Sequence, residues 1–224
     1  MVTEEMAKLV FMMCTQWDYA DRLAPMDLLR CIAVHPTTAK YRAANDSSVV
    51  TIATTAPFEG IPAGADPNEN CCMMAARTIA NLFKTPAGRE TISQPAAAKA
   101  IDAFISRVLG FGGQQAVGAF NRNLFIGLTT VLINLSVLAS WRVGSISNAV
   151  QIHCLTLLSH ILQKQTDSEV VYRALIASGT LIMSVGTSAP DARSMASPVR
   201  AAKDKASEER VKGVADEILT ILSK

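Results

Sequence analysis

The chain has 224 residues, half of them hydrophobic and 18% charged, enough to bury a core of its own. Aromatics make up only 5% while Ala, Leu, Ile and Val dominate, a composition that suits packed helices and disfavours a β-sandwich. A formal net charge of +2 lacks the basic excess that a general nucleic-acid binder needs.

Helix signals recur along the chain. Thr3-Glu4-Glu5 sets a capping hydroxyl and two carboxylates at the positive end of a first helix. Pro25 suits the first turn of a second helix, which runs to about Val34 and is stopped by His35-Pro36. Lys40–Asn70 reads as loop-rich, with Val49–Thr54 its nearest approach to a strand and Pro57–Pro67 a Pro- and Gly-rich loop. Asp66-Pro67-Asn68-Glu69 predicts a helix start with Asp66 as cap and Pro67 at the first position. Thr85-Pro86 and Gln94-Pro95 mark further starts, and Gly110–Gly113 a tight turn.

Beyond that turn, Asn123–Trp141 carries no charged residue and is long enough for a membrane span. Gly127, Thr129, Thr130, Asn134, Ser136 and Ser140 punctuate it, so an inner helix of a layered stack is the better reading and no membrane partner is expected. Thr166-Asp167-Ser168-Glu169 opens the helix that bears Arg173. Gly186–Lys205 predicts only short helical turns. Ser207-Glu208-Glu209 then opens a last helix lined by Val211, Val214, Ile218, Leu219, Ile221 and Leu222. The sum is about a dozen helices and no sheet.

Catalytic and metal-binding patterns are absent from the sequence. His153 and His160, seven residues apart on one helix, lie about 10 Å apart along its axis, too far to share a metal. Cys14, Cys31, Cys71, Cys72 and Cys154 form no CxxC, and a thiol enzyme using Cys14, Cys31 or Cys154 with a histidine is the weakest reading. Gly110–Gly118 lacks the Lys-Ser/Thr ending of a phosphate loop. The acidic N-terminus and the odd cysteine number fit reduced thiols in a cytoplasmic or nuclear setting. The expectation is a non-enzyme without cofactor or metal.

Polar residues inside apolar helices carry the remaining signal. Ala75–Leu82 and Thr129–Ser136 each hold one asparagine, Asn81 and Asn134, and Tyr172–Met183 shares their small-and-aliphatic pattern. Such repetition points to an α-solenoid, a fold that works by presenting a concave groove. Arg77 and Asn81 share one helical face, Thr130 and Asn134 repeat the spacing, and Arg173 shares a face with Thr180. Inner-helix asparagines suit the backbone of an extended peptide, and arginines suit its carboxylates. An asparagine that caps a neighbouring segment and an arginine on an ordinary surface are the plainer alternatives.

Trp17–Pro36 carries Trp17, Arg22, Pro25, Asp27, Leu28, Leu29, Arg30, His35 and Pro36 in an order that resembles the signature of the PUL domain. Arg77-Thr78-Ile79-Ala80-Asn81-Leu82-Phe83 followed by Gly88 resembles a second family segment, and Asn123–Val137 and Tyr172–Ile182 resemble its later inner helices. The resemblance covers essentially the whole chain, 1–224, as one domain of a larger protein. It implies an all-α, armadillo-like α-solenoid of about six helical repeats, as in the phospholipase A-two-activating protein family. It further implies a basic groove for the acidic C-terminal tail of the hexameric AAA ATPase valosin-containing protein, with an indirect link to ubiquitin through flanking domains. The family's groove arginines match Arg77 and Arg173; helical facing adds Asn81, Asn134, Arg30 and Arg122 as candidate peptide-binding residues. A second reading is an accessory interaction domain within a thioredoxin-like or deubiquitinase-like fusion enzyme.

Overall fold

Residues 2–43, 46–110 and 121–224 are described by a computed structural model, and among them the regular structure is all-α. Two units divide the chain at Leu128, within its longest helix. The Gly110–Gly113 turn and the Gly110–Gly118 loop fall, beyond Gly110, outside the described residues.

The first unit holds α1 (Glu4–Gln16), a 3₁₀ turn (Tyr19–Asp21), α2 (Leu23–Ile32), α3 (Pro36–Lys40) and α4 (Val49–Thr55). It continues with α5 (Glu69–Leu82), α6 (Pro86–Ser93), α7 (Pro95–Val108) and the beginning of α8 (Arg122–Trp141). Thr3 and Thr85 cap α1 and α6 through their hydroxyls, as their positions predict. The start of α5 differs. Its cap is Asn68, not Asp66: the Asn68 side chain accepts from the amides of Asn70 and Cys71, and its own N–H donates to the Tyr19 hydroxyl. Val49–Thr54 is helical despite its β-branched residues, because Ser48 caps it and Val49, Val50, Ile52 and Ala53 are all buried.

These helices repeat in threes. α2 packs on α5, α3 on α6 and α4 on α7, so each element meets the one three places later. Met26 and Leu29 of α2, Ile79 and Leu82 of α5, and Ile101 and Ile105 of α7 are fully buried in this stack. Gly127 admits α8 against α5, since a Cβ there would stand 3.2 Å from that of Ala76.

The second unit holds the rest of α8, then α9 (Asn148–Lys164), α10 (Ser168–Val185), α11 (Pro190–Ser194), α12 (Ala196–Lys205) and α13 (Glu209–Leu222). α9 packs on α12 and α10 on α13, the same three-place register. α12 corrects the expectation of short turns only, for it runs ten residues. Met195, Val199 and Ala202 are buried at helical spacing, and Pro198 sits in the first turn, where its missing N–H costs nothing. α13 buries Val211, Ala215 and Ile218, a narrower stripe than its sequence suggests.

By length and composition α8 and α10 are each long and apolar enough to cross a membrane. The most apolar window of α8 is 61% buried within the protein, and that of α10 is 44% buried.

Candidate functional site

α5 keeps one stripe clear of the core: Asn70, Met73, Arg77 and Asn81 recur at three- and four-residue spacing, while the positions between them are mostly buried. Arg77 is exposed and has no hydrogen bond or ion pair to a described residue. Asn81 is engaged. Its Nδ2 donates to the Arg30 carbonyl at 2.9 Å, satisfying an otherwise orphaned acceptor in the last turn of α2. Arg30 itself turns back along α2, with Nε donating to Asp27 Oδ1 at 2.7 Å. Unit one thus brings Arg30 and Asn81 together through a backbone carbonyl and leaves Arg77 open beside them on the Asn81 stripe.

α8 and α10 carry the remaining candidates. Arg122 is exposed at the first position of α8. Asn134 is half-buried and makes no hydrogen bond to a described residue. One turn earlier on the same stripe, Thr130 accepts from Arg173 Nη1 at 2.9 Å. Arg173 Nε donates to Glu169 Oε1 at 2.6 Å, an i,i+4 pair with the acid on the N-terminal side. Two edges of this guanidinium are therefore pinned, and Nη2 has no acceptor among the described residues.

Sequence reasoning passed over four members of this cluster: Glu169, Tyr172, Glu208 and Arg210. Arg210 of α13 places Nη2 3.1 Å from Glu169 Oε2 and lies over the Tyr172 ring at 4.8 Å. Its Nε donates to Glu208 Oε2 at 2.6 Å. One carboxylate, Glu169, is thus shared by two arginines, and the hydrogen bond from Arg173 holds its carboxyl below the ordinary glutamate value. The four-residue spacing of Glu169 and Arg173 could have disclosed that pair; nothing in the sequence ties Arg210 to it.

Other chemistry finds little support. Cys14, Cys71, Cys72 and Cys154 are buried, and burial pushes the Cys14 and Cys72 thiols up to about 12, far from a reactive thiolate. Among the described residues no group of three His, Cys, Asp or Glu side chains is placed to hold a metal. A cleft of about 280 Å³ between α4 and α7, lined by Phe58, Phe104 and Arg107, includes none of the candidate residues.

A family model for the PUL domain matches residues 2–217, nearly the whole chain. No curated protein matches it.

Proposed function

This chain belongs to the PUL-domain family, whose members are protein-interaction modules, and from that premise we propose a non-catalytic adaptor that binds the acidic C-terminal tail of the AAA ATPase valosin-containing protein. Arg77 in the first unit and Arg173 in the second are separately testable carboxylate clamps. Asn134 serves the peptide backbone. Asn81 is limited to what its oxygen and second N–H can do, since one N–H already belongs to α2. Arg30 and Arg122 contribute charge to the approach rather than a fixed contact. The ATPase would in turn meet ubiquitin-dependent processes through domains outside this chain, in the cytoplasm or nucleus.

Arg77 carries the reading: an exposed guanidinium without a partner among the described residues, on a helix whose other faces are buried. Arg22 and Arg30, in contrast, already direct their guanidiniums to a backbone carbonyl and a carboxylate of the same chain.

Calorimetric titration with a short acidic peptide matching the ATPase C-terminus tests it. Wild-type chain should bind, with affinity falling as salt rises. Arg77→Ala and Arg173→Ala should each lose about 2 kcal/mol, roughly thirtyfold in Kd. Unchanged affinity in a folded double variant, or no binding by the wild type, overturns the proposal; the second result turns attention to an accessory role within a larger enzyme.

A further inference from the structure

Glu169 is a carboxylate already seated between two guanidiniums of the second unit. Its side chain is 24% exposed and its two oxygens are divided between Arg173 Nε and Arg210 Nη2. Neither arginine is exhausted by it. Arg173 keeps Nη2 and Arg210 keeps Nη1, neither with an acceptor among the described residues.

We propose that Arg210, on the last helix, is a second carboxylate-binding arginine of the Arg173 site, and that Glu208 occupies it until an acidic peptide displaces that side chain. This rests on the acidic-peptide reading above. Three observations carry it. Stacking on Tyr172 holds the Arg210 guanidinium beside Arg173 instead of letting it sweep through solvent. Glu169 ties both arginines to one carboxylate, so an arriving carboxylate meets two cations already placed, with little ordering left to do. The Glu208 bridge is the exchangeable one: Glu208 is 43% exposed and Arg210 48%, and surface ion pairs of that kind contribute little and yield readily. On the last two helices Lys203 pairs with Asp216 at 2.6 Å and Lys212 with Glu209 at 2.8 Å.

The two glutamates have opposite parts. Glu169, the more covered, positions the arginines and stays. Glu208 competes with the peptide and leaves.

The test measures affinity for the same acidic peptide in five proteins: wild type, Arg210→Ala, Glu208→Gln, Glu169→Gln, and Arg210→Ala combined with Glu169→Gln. Removing Arg210 should weaken binding about tenfold and flatten its salt dependence. Neutralising Glu208 should strengthen binding about threefold. The Arg210 loss should persist in the Glu169→Gln background, since a direct contact does not need Glu169. Thermal melting checks the fold, and Arg210→Gln, which keeps a stem over Tyr172, replaces the alanine variant if that one melts early.

Unchanged affinity in Arg210→Ala, with binding still lost in Arg173→Ala, overturns the inference and leaves the adaptor reading intact. Loss of the effect in the Glu169→Gln background overturns direct contact and makes Arg210 a positioning residue. No gain from Glu208→Gln overturns the displacement. Absence of binding by the wild type sinks the inference together with the reading beneath it.

Discussion

Arg22 takes a charge into the first unit, 6% exposed, without meeting a carboxylate. Its guanidinium donates to the carbonyls of Trp17 at 3.1 Å, Ala56 at 3.1 Å and Glu59 at 2.6 Å, with Thr15 at 3.5 Å. Thr15 and Trp17 end α1, and Ala56 ends α4, so the negative ends of two helices converge on one cation. That geometry needs a planar fork, which lysine lacks. Arg22→Ala should cost about 3 kcal/mol or more by leaving buried carbonyls without donors, and Arg22→Lys should recover only part. Equal denaturation midpoints for Arg22→Lys and wild type would refute the fork argument. Arg22 was visible as part of a family signature. Its partners at Ala56 and Glu59 lie 34 and 37 residues away, a distance no local pattern spans. Asn81 is a similar case: its place on the Arg77 stripe was legible, while its bond to the Arg30 carbonyl needed the packing of α5 on α2.

Element boundaries were the most legible feature, because caps are local chemistry. Thr3, Thr85, Asp167 and the prolines at 86 and 95 stand where their residue types predict, and Pro36, read as the stop of α2, also opens α3. Misplacement occurred where two capping residues competed, as Asp66 and Asn68 do before α5, and where small residues concealed a buried stripe, as in α12. The junction of α5 and α6 explains why a glycine follows the Arg77 segment. A Cβ on Gly88 would lie 2.0 Å from the Leu82 carbonyl oxygen, a backbone atom that no rotamer change can move. Gly88→Ala should therefore destabilise the chain by at least about 3 kcal/mol, with α5 and α6 forced apart. A melting temperature within error of wild type would show that this approach is looser than the packing implies.

At the scale of the molecule, the same three-place register appears within each unit, and in the second one electrostatics reinforces it. Glu169 of α10 reaches Arg210 of α13, joining two elements that also pack together. Its carboxyl is held below the usual glutamate value of 4.5, so its contribution is present in full above that value and lost as pH falls through the lower, folded one. Partial exposure keeps the contribution small. Thermal melts taken from neutral pH to below 4.5 should show stability declining on the acid side, and Glu169→Gln should be less stable at neutral pH with a shallower decline. An identical acid limb in both proteins would mean that Glu169 bears no such load. The family, too, is a whole-chain property, since its match extends over residues 2–217 and not over one motif.

From the sequence by itself came the helical class and most helix starts, which depend on local composition, capping and spacing, and the family resemblance, which implied the candidacy of Arg77 and Arg173. Only the tertiary structure decided that Asn81 caps α2, that Arg22 closes two helix ends, and that Arg210 stands with Arg173 around Glu169. Those pairings join residues tens of positions apart through backbone carbonyls and shared carboxylates, which become partners only once each helix packs on the element it is matched with.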